Sequence, residues 1–212
     1  LARLPKDKRG LLLWSGIVFN IGLLLFYKFA SPLLAESLPL LQQGSLLADL
    51  TLLPIGLSFH GLQAVSYLVE VSRGNQVAER HVGIFALTIL FFPRVLSGPI
   101  ERPAFFEQFR TKVNFDYKGV TDGMKILAWG FFKKLVIADR FTDIVYQAYS
   151  DPTHFSGVSL FFATLAFTFA LYADFSGYSD IALGAAQVFG IKLTQNFAHP
   201  YSARSISEFW QR

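Results

Sequence analysis

Gly10 to Tyr27 reads GLLLWSGIVFNIGLLLFY, eighteen positions without a charged residue. At about 1.5 Å rise per residue, a helix of this run nearly covers a hydrocarbon core of roughly 30 Å. That one segment points the chain toward a bilayer. Gly157 to Ala173 (GVSLFFATLAFTFALYA) is a second, somewhat shorter span, with Thr164, Thr168 and Tyr172 giving it a mildly polar side. Composition agrees. Of 212 residues, 52% are hydrophobic and only 16% are charged, with mean hydropathy +0.40, whereas a soluble domain carries about 25% charged residues. The expected fold class is all-α, a polytopic transmembrane helical protein with broken or re-entrant and interfacial helices.

The net charge is +4 and the pI about 9.3, but the basic residues sit beside apolar runs rather than along a stripe with interleaved aromatics. No nucleic-acid partner is expected; membrane lipids are. With no cysteine, a disulfide framework, a Cys-ligated metal and a thiol nucleophile are all excluded. Arg3, Lys6, Lys8 and Arg9 crowd the start of the first span, and no Lys or Arg lies between Lys28 and Arg73. The positive-inside rule therefore places the N-terminus in the cytoplasm and Ser31 to Asp49 outside. Leu50 to Val71 is expected to return inward and end before the basic loop of Arg73 and Arg80. On it, His60, Gln63, Tyr67 and Glu70 are spaced 3, 4 and 3 apart and share one helix face, which should meet protein or water rather than lipid.

Val82 to Phe92 is apolar but too short to span, and Pro93 interrupts it before Val95 to Ile100, so a broken or re-entrant segment is expected. From Glu101 to Arg140 basic residues mix with Phe and Trp. Two arrangements fit: helices lying in the cytoplasmic interface, or a crossing by Gly123 to Asp139 in which Lys133 and Lys134 snorkel or face a cavity.

Asp174-Phe-Ser-Gly-Tyr-Ser-Asp180 follows the second span directly, and Ile181 to Ile191 is read as a further short apolar piece. Burying one such charge costs about 2.5–3.5 kcal/mol on insertion scales, and no basic residue is near in sequence. One arrangement is a polar cavity in which Asp174, Ser176, Tyr178, Ser179 and Asp180 position a substrate or hold another element; the other is an interfacial turn among headgroups. Gly177 and Gly184 lie two turns apart on one face, a spacing that lets helices approach closely. Ser205-Ile-Ser-Glu208 fits a capping box opening a new helix, and Arg204 with Glu208 is spaced for an i,i+4 pair beside Trp210. His60 is read as a hydrogen-bonded interior group. No histidine pair has the spacing of a metal site, so no metal is expected. No nucleophile elbow, P-loop or dinucleotide fingerprint occurs. On these residues alone, transport and membrane-embedded catalysis stay equally open.

Four blocks go further: Leu53-Pro-Ile-Gly-Leu-Ser-Phe59, Phe91-Phe-Pro-Arg-Val-Leu-Ser-Gly-Pro-Ile100, Asp174 to Asp180, and Asn196-Phe-Ala-His-Pro-Tyr-Ser-Ala-Arg-Ser-Ile-Ser-Glu-Phe-Trp210. In that order, with Phe131-Phe-Lys-Lys-Leu-Val-Ile-Ala-Asp-Arg140 between them, they resemble the membrane-bound O-acyltransferase family, and its bacterial polysaccharide- and teichoic-acid-modifying branch most of all. The resemblance covers nearly the whole chain. It implies a multi-pass protein of the bacterial cytoplasmic membrane, with residues 1–212 the central part of one membrane domain, cut at both ends. It further implies transfer of an acyl group, most simply acetyl, from a cytoplasmic donor through a tunnel to hydroxyls of an exported polysaccharide or envelope glycan. No bound cofactor is implied; the donor, acetyl-CoA or an acyl carrier, is a co-substrate. Membrane or periplasmic acetylation proteins are the implied partners. The residues expected to build or shape the tunnel are Asp174, Ser176, Tyr178, Asp180, Asn196, Arg204, Glu208 and Trp210. No catalytic residue is assigned within the chain, because the family's essential histidine is expected past Arg212. A transporter or translocation scaffold is the rival reading.

Overall fold

The computed structural model describes residues 6–30, 56–95, 101 and 104–212, which are mostly helical with no strand among them. The first expected span is there as α1 (Lys6–Leu25), continued by a π turn over Phe26–Ala30. The region expected outside, Ser31 to Asp49, lies outside the described residues, as do residues 96–100 of the second motif block. The chain forms two compact units, Leu1–Leu96 with Arg102–Thr111, and Ser97–Glu101 with Lys112–Arg212.

In the first unit α1 packs on α2 (Leu57–Arg73), where a methyl on Gly16 would come within 2.8 Å of a Leu68 methyl. α2 ends as Gly74 turns left-handed, with its N–H and that of Asn75 donating to the carbonyls of Val71 and Glu70. The polar stripe of α2 meets protein, as its spacing predicts. Gln63 is buried with its amide oxygen accepting from the Arg94 guanidinium, and the Tyr67 hydroxyl accepts from the Glu79 N–H at 2.8 Å. His60 is tied by Nδ1 to the Gly56 carbonyl oxygen at 2.7 Å. The break at proline is also present. α3 (Val82–Ile89) stops short of Pro93, which sits in a 3-10 turn, Phe92–Arg94. Arg94 is fully buried there, its guanidinium 4.2 Å from the centre of the Phe105 ring on α4 (Ala104–Gln108) and donating to the Thr88 carbonyl at 2.6 Å.

The second unit is built on two long antiparallel helical runs. α5 (Tyr117–Phe131) passes through a π segment, Phe132–Ala138, into α6 (Asp139–Ser150). α7 (Gly157–Val188) is one helix of 32 residues. This corrects the sequence reading of a span ending at Ala173, a polar link and a separate apolar piece. The link holds no proline, and its carboxylates find partners on the neighbouring run, so nothing stops the helix. Of the stretch 101–140, for which an interfacial and a crossing arrangement both fit, Tyr117 to Ala138 runs lengthwise along α7.

Close approach explains this pairing. The residues α7 buries are all small: Ala163, Ala166, Ala170, Ala173, Ser176, Gly177, Ser179, Ala182, Gly184 and Ala186. Most fall at alternating steps of three and four, which makes a smooth seam along one face. A methyl on Gly184 would sit 2.6 Å from the Gly123 carbonyl oxygen, and one on Gly130 2.7 Å from that of Gly177. Two glycines on each helix, seven residues apart, therefore bring backbone against backbone. Side chains flanking the seam are thereby forced to meet.

Candidate functional site

Four of those flanking side chains are charged. Lys133 Nζ lies 2.7 Å from Asp180 Oδ2 and donates to the Ser176 hydroxyl at 3.1 Å, with Ser176 fully buried. The lysine side chain is 11% exposed and the aspartate 24%. One residue on, Lys134 pairs with Asp174 on a wetter side of the helix pair. In an α-helix two consecutive side chains diverge by about 100°, given 3.6 residues per turn. Here both belong to the π segment, whose wider turn lets Lys133 and Lys134 reach the same partner helix. The compensation that two aspartates in an apolar run demand is thus supplied by two lysines forty or more positions away in sequence.

Beside the Lys133–Asp180 pair is a cavity of about 410 Å³. Trp129, Phe169, Tyr172 and Phe197 supply its aromatic wall, and Gln195 and His199 join Lys133 and Asp180 as its polar groups. The far wall comes from the chain after α7. Gly190, at φ +71°, reverses direction, and the Ile191 N–H donates back to Ala186. The returning strap lies along α7, with the Phe197 ring edge-on to Phe175 at 5.1 Å and to Tyr172 at 6.0 Å. Further on, the Tyr201 hydroxyl donates to the Thr168 carbonyl at 2.9 Å. At its start, the Glu101 carboxylate accepts from the Thr194 N–H and hydroxyl at 2.6 and 2.9 Å.

The capping box read from sequence opens α8 (Ile206–Gln211). Ser205 Oγ accepts from the Glu208 N–H at 3.1 Å. Glu208 does not complete it in the expected way, for its carboxylate takes the Arg204 N–H at 2.7 Å and the Arg212 side chain at 2.9 Å. The expected Arg204–Glu208 side-chain pair is replaced by Arg212–Glu208. The Arg204 N–H first, and Arg212 after it, hold the Glu208 carboxyl below the usual glutamate range. Arg212 in turn donates to the Ser202 hydroxyl at 2.9 Å, while its carbonyl accepts from the Ala198 N–H at 2.7 Å. The α8 end thereby pins the strap where it bears His199. His199 has φ 54° and ψ 61°, a left-handed conformation costing a non-glycine residue on the order of 1–3 kcal/mol.

The expected tunnel residues separate into groups. Asp180 lines the cavity, Ser176 buttresses its lysine, and Asp174 opens instead on a second groove of about 450 Å³ with Tyr149 and Phe167. Tyr178 and Asn196 are half-buried and are not among the residues lining the 410 Å³ cavity. Nor are Arg204, Glu208 and Trp210, the first two of which shape the strap's anchor, while Trp210 is 80% exposed. Gln195, His199 and the aromatic wall are not among the expected residues, and Lys133, outside the expected tunnel set, enters the sequence reading only as a lysine that snorkels or faces a cavity if Gly123 to Asp139 crosses. Adjacent lysines in an apolar context were the available signal for Lys133. His199 stands inside the fourth motif block, but nothing in the sequence marks it as a cavity residue, because its conformation is set by contacts made after folding.

The chain is 31% identical, over 98% of its length, to a peptidoglycan O-acetyltransferase of Helicobacter pylori, of which it covers 44%. It is 38% identical, over 76% of its length, to a probable alginate O-acetylase AlgI of Azotobacter vinelandii, covering 32% of that protein. A teichoic acid D-alanyltransferase of Streptococcus thermophilus is 31% identical over 74% of the chain, which spans 40% of it. The chain belongs to the membrane-bound O-acyltransferase family. It spans about a third to under half of these relatives, and no family model matches it. As in this membrane-protein family generally, its apolar helices are long enough to cross a bilayer: Gly10–Phe29, no residue of which is buried among the described residues, and Gly157–Val188. Among the described residues there is no cluster of His, Cys, Asp and Glu that could hold a metal.

Proposed function

We propose that this chain forms the central, substrate-bordering part of a multi-pass O-acyltransferase of the bacterial cytoplasmic membrane. It moves acetyl from a cytoplasmic thioester, a coenzyme A ester or an acyl carrier, to hydroxyls of an exported polysaccharide or envelope glycan. The observation that carries the reading is the ion-paired, aromatic-walled cavity between α5–α6 and α7, in a chain whose relatives are named for acyl transfer. Those names disfavour the transporter reading. In such a transfer the acceptor oxygen attacks the thioester carbonyl, the C–S bond breaks, and the proton leaving the hydroxyl passes through a base to the departing thiolate. Excluding water is essential, since water competes as acceptor. The seam of small residues, too tight to admit water, and the neutralised charges suit that demand. The base is the histidine the resemblance places past Arg212; Lys133, Asp180 and Ser176 act as positioning residues. Acetylation partner proteins of the membrane or periplasm would receive or present the glycan.

The test is to compare ester-linked acetate on envelope glycans in a deletion strain and its complemented parent, then in Asp180→Ala and Asp174→Ala. Deletion should abolish the ester, and Asp180→Ala should lower it more than Asp174→Ala. Unchanged ester in the deletion strain would sink the proposal.

A further inference from the structure

His199 is occupied by a residue its backbone does not favour. Among the described residues it is the non-glycine residue with positive φ, and it precedes Pro200, whose ring disfavours helical backbone in the residue before it. Glycine would meet the same turn without strain. The turn is nevertheless held firmly: the His199 carbonyl accepts from the Ser202 N–H at 3.1 Å and the Ser202 hydroxyl at 2.8 Å, and Arg212 bonds that same hydroxyl. Such over-determined strain concentrates where a side chain is being aimed at something. Here the exposed His199 lines the 410 Å³ cavity together with Lys133, Asp180, Tyr172 and Phe197.

We propose that His199 is a direct contact for the hydroxyl-bearing acceptor, a carbohydrate ring seated in this cavity. This deepens the acyl-transfer reading and rests on it for the acceptor's class. The cavity falls in the size range of small-molecule sites, about 300–1,000 Å³. A sugar presents an apolar C–H face and a rim of hydroxyls; Tyr172 and Phe197 offer flat apolar surface to the first. Imidazole carries one donor and one acceptor nitrogen when neutral, the Gln195 amide carries both kinds, and the Asp180 carboxylate accepts, so together they match vicinal hydroxyls. The strained turn puts His199 into that lining.

The test separates ring from backbone in the full-length protein. His199→Gly keeps the left-handed turn and removes the ring; His199→Asn keeps the turn with a shorter polar group. Both should reach wild-type levels in the membrane. In reconstituted protein titrated calorimetrically with cellohexaose and with hexamannuronate, at least one sugar should bind wild type, and His199→Gly should weaken it tenfold or more. Acetylation assays should show the apparent acceptor KM rising by a similar factor with the donor KM unchanged. Equal sugar binding by wild type and His199→Gly, or failure of wild type to bind either sugar, overturns the proposal. Should the deletion strain keep its acetyl ester while sugar binding still depends on His199, the acyl-transfer reading falls and this site stands.

Discussion

α1 and α7 are both apolar and long enough to cross a bilayer, yet they meet the rest of the protein in opposite ways. Among the described residues none of the hydrophobic stretch of α1 is buried, and Leu11, Trp14 and Phe19 are exposed. α7 carries two aspartates and buries a seam of alanine, glycine and serine. In lipid, apolar bulk gives no drive toward association, because hydrocarbon outside is as good as hydrocarbon inside. Close backbone approach and paired polar groups do. The difference between the helices therefore shows that hydropathy finds a span, whereas small residues and intramembrane charge find its partner and the site.

The comparison breaks most severely at the seam. Gly130→Leu would drive a side chain into the Gly177 carbonyl and the Ile181 amide, each 2.7 Å from the first added carbon. Overpacking costs about 1–3 kcal/mol and more when backbone is the obstacle; loss of most folded protein from membranes is expected. Gly22→Leu on α1, with nothing within 4 Å, should leave the level unchanged. Equal levels for the two variants would refute the assignment of the seam.

Next in size is Lys133→Met, which strands the Asp180 carboxylate. Breaking a buried pair costs about 3–5 kcal/mol. With these side chains 11% and 24% exposed, about 1–3 kcal/mol is expected, read as a lowered midpoint in detergent thermal scans. Lys133→Met with Asp180→Leu should recover stability without recovering acetyl transfer. Recovery of both would make the pair a structural fixture and nothing more. Lys134→Met, whose pair is 36% and 53% exposed, should cost about 0–1 kcal/mol.

The smallest effect is a pH dependence outside the membrane segments. The Glu79 carboxyl is held below the usual glutamate range, chiefly by the His81 N–H and also by Arg110 and the Arg80 N–H. A carboxyl with a depressed folded value stabilises the fold fully above its ordinary value, and that contribution fades as pH falls through the lowered one. Wild type should therefore lose slightly more thermal stability than Glu79→Gln between neutral pH and the acid side of the glutamate range. Parallel curves for the two would remove Glu79 from the account.

Periodicity and hydropathy made much of the architecture legible: the span now seen as α1, the inward polar stripe of α2, the break at Pro93 and the cap at Ser205. The close-packing role of Gly177 and Gly184 was also readable from spacing, though their partners Gly123 and Gly130 were not. The site was legible by half. Asp174 and Asp180 announced a need for compensation, but nothing local says which cation supplies it. The continuity of α7 through those aspartates was missed for the same reason.

Sequence by itself determined that this chain is a helical membrane protein of an acyl-transferring family, because an apolar run of eighteen residues satisfies its backbone in lipid as a helix and the motif blocks stand in family order. Only the tertiary structure decided that Lys133 answers Asp180, that Lys134 answers Asp174, and that a strap bends His199 over the space between. Those pairings depend on a π turn and a glycine seam acting together across forty residues or more, and no short-range rule of sequence encodes a distance in space.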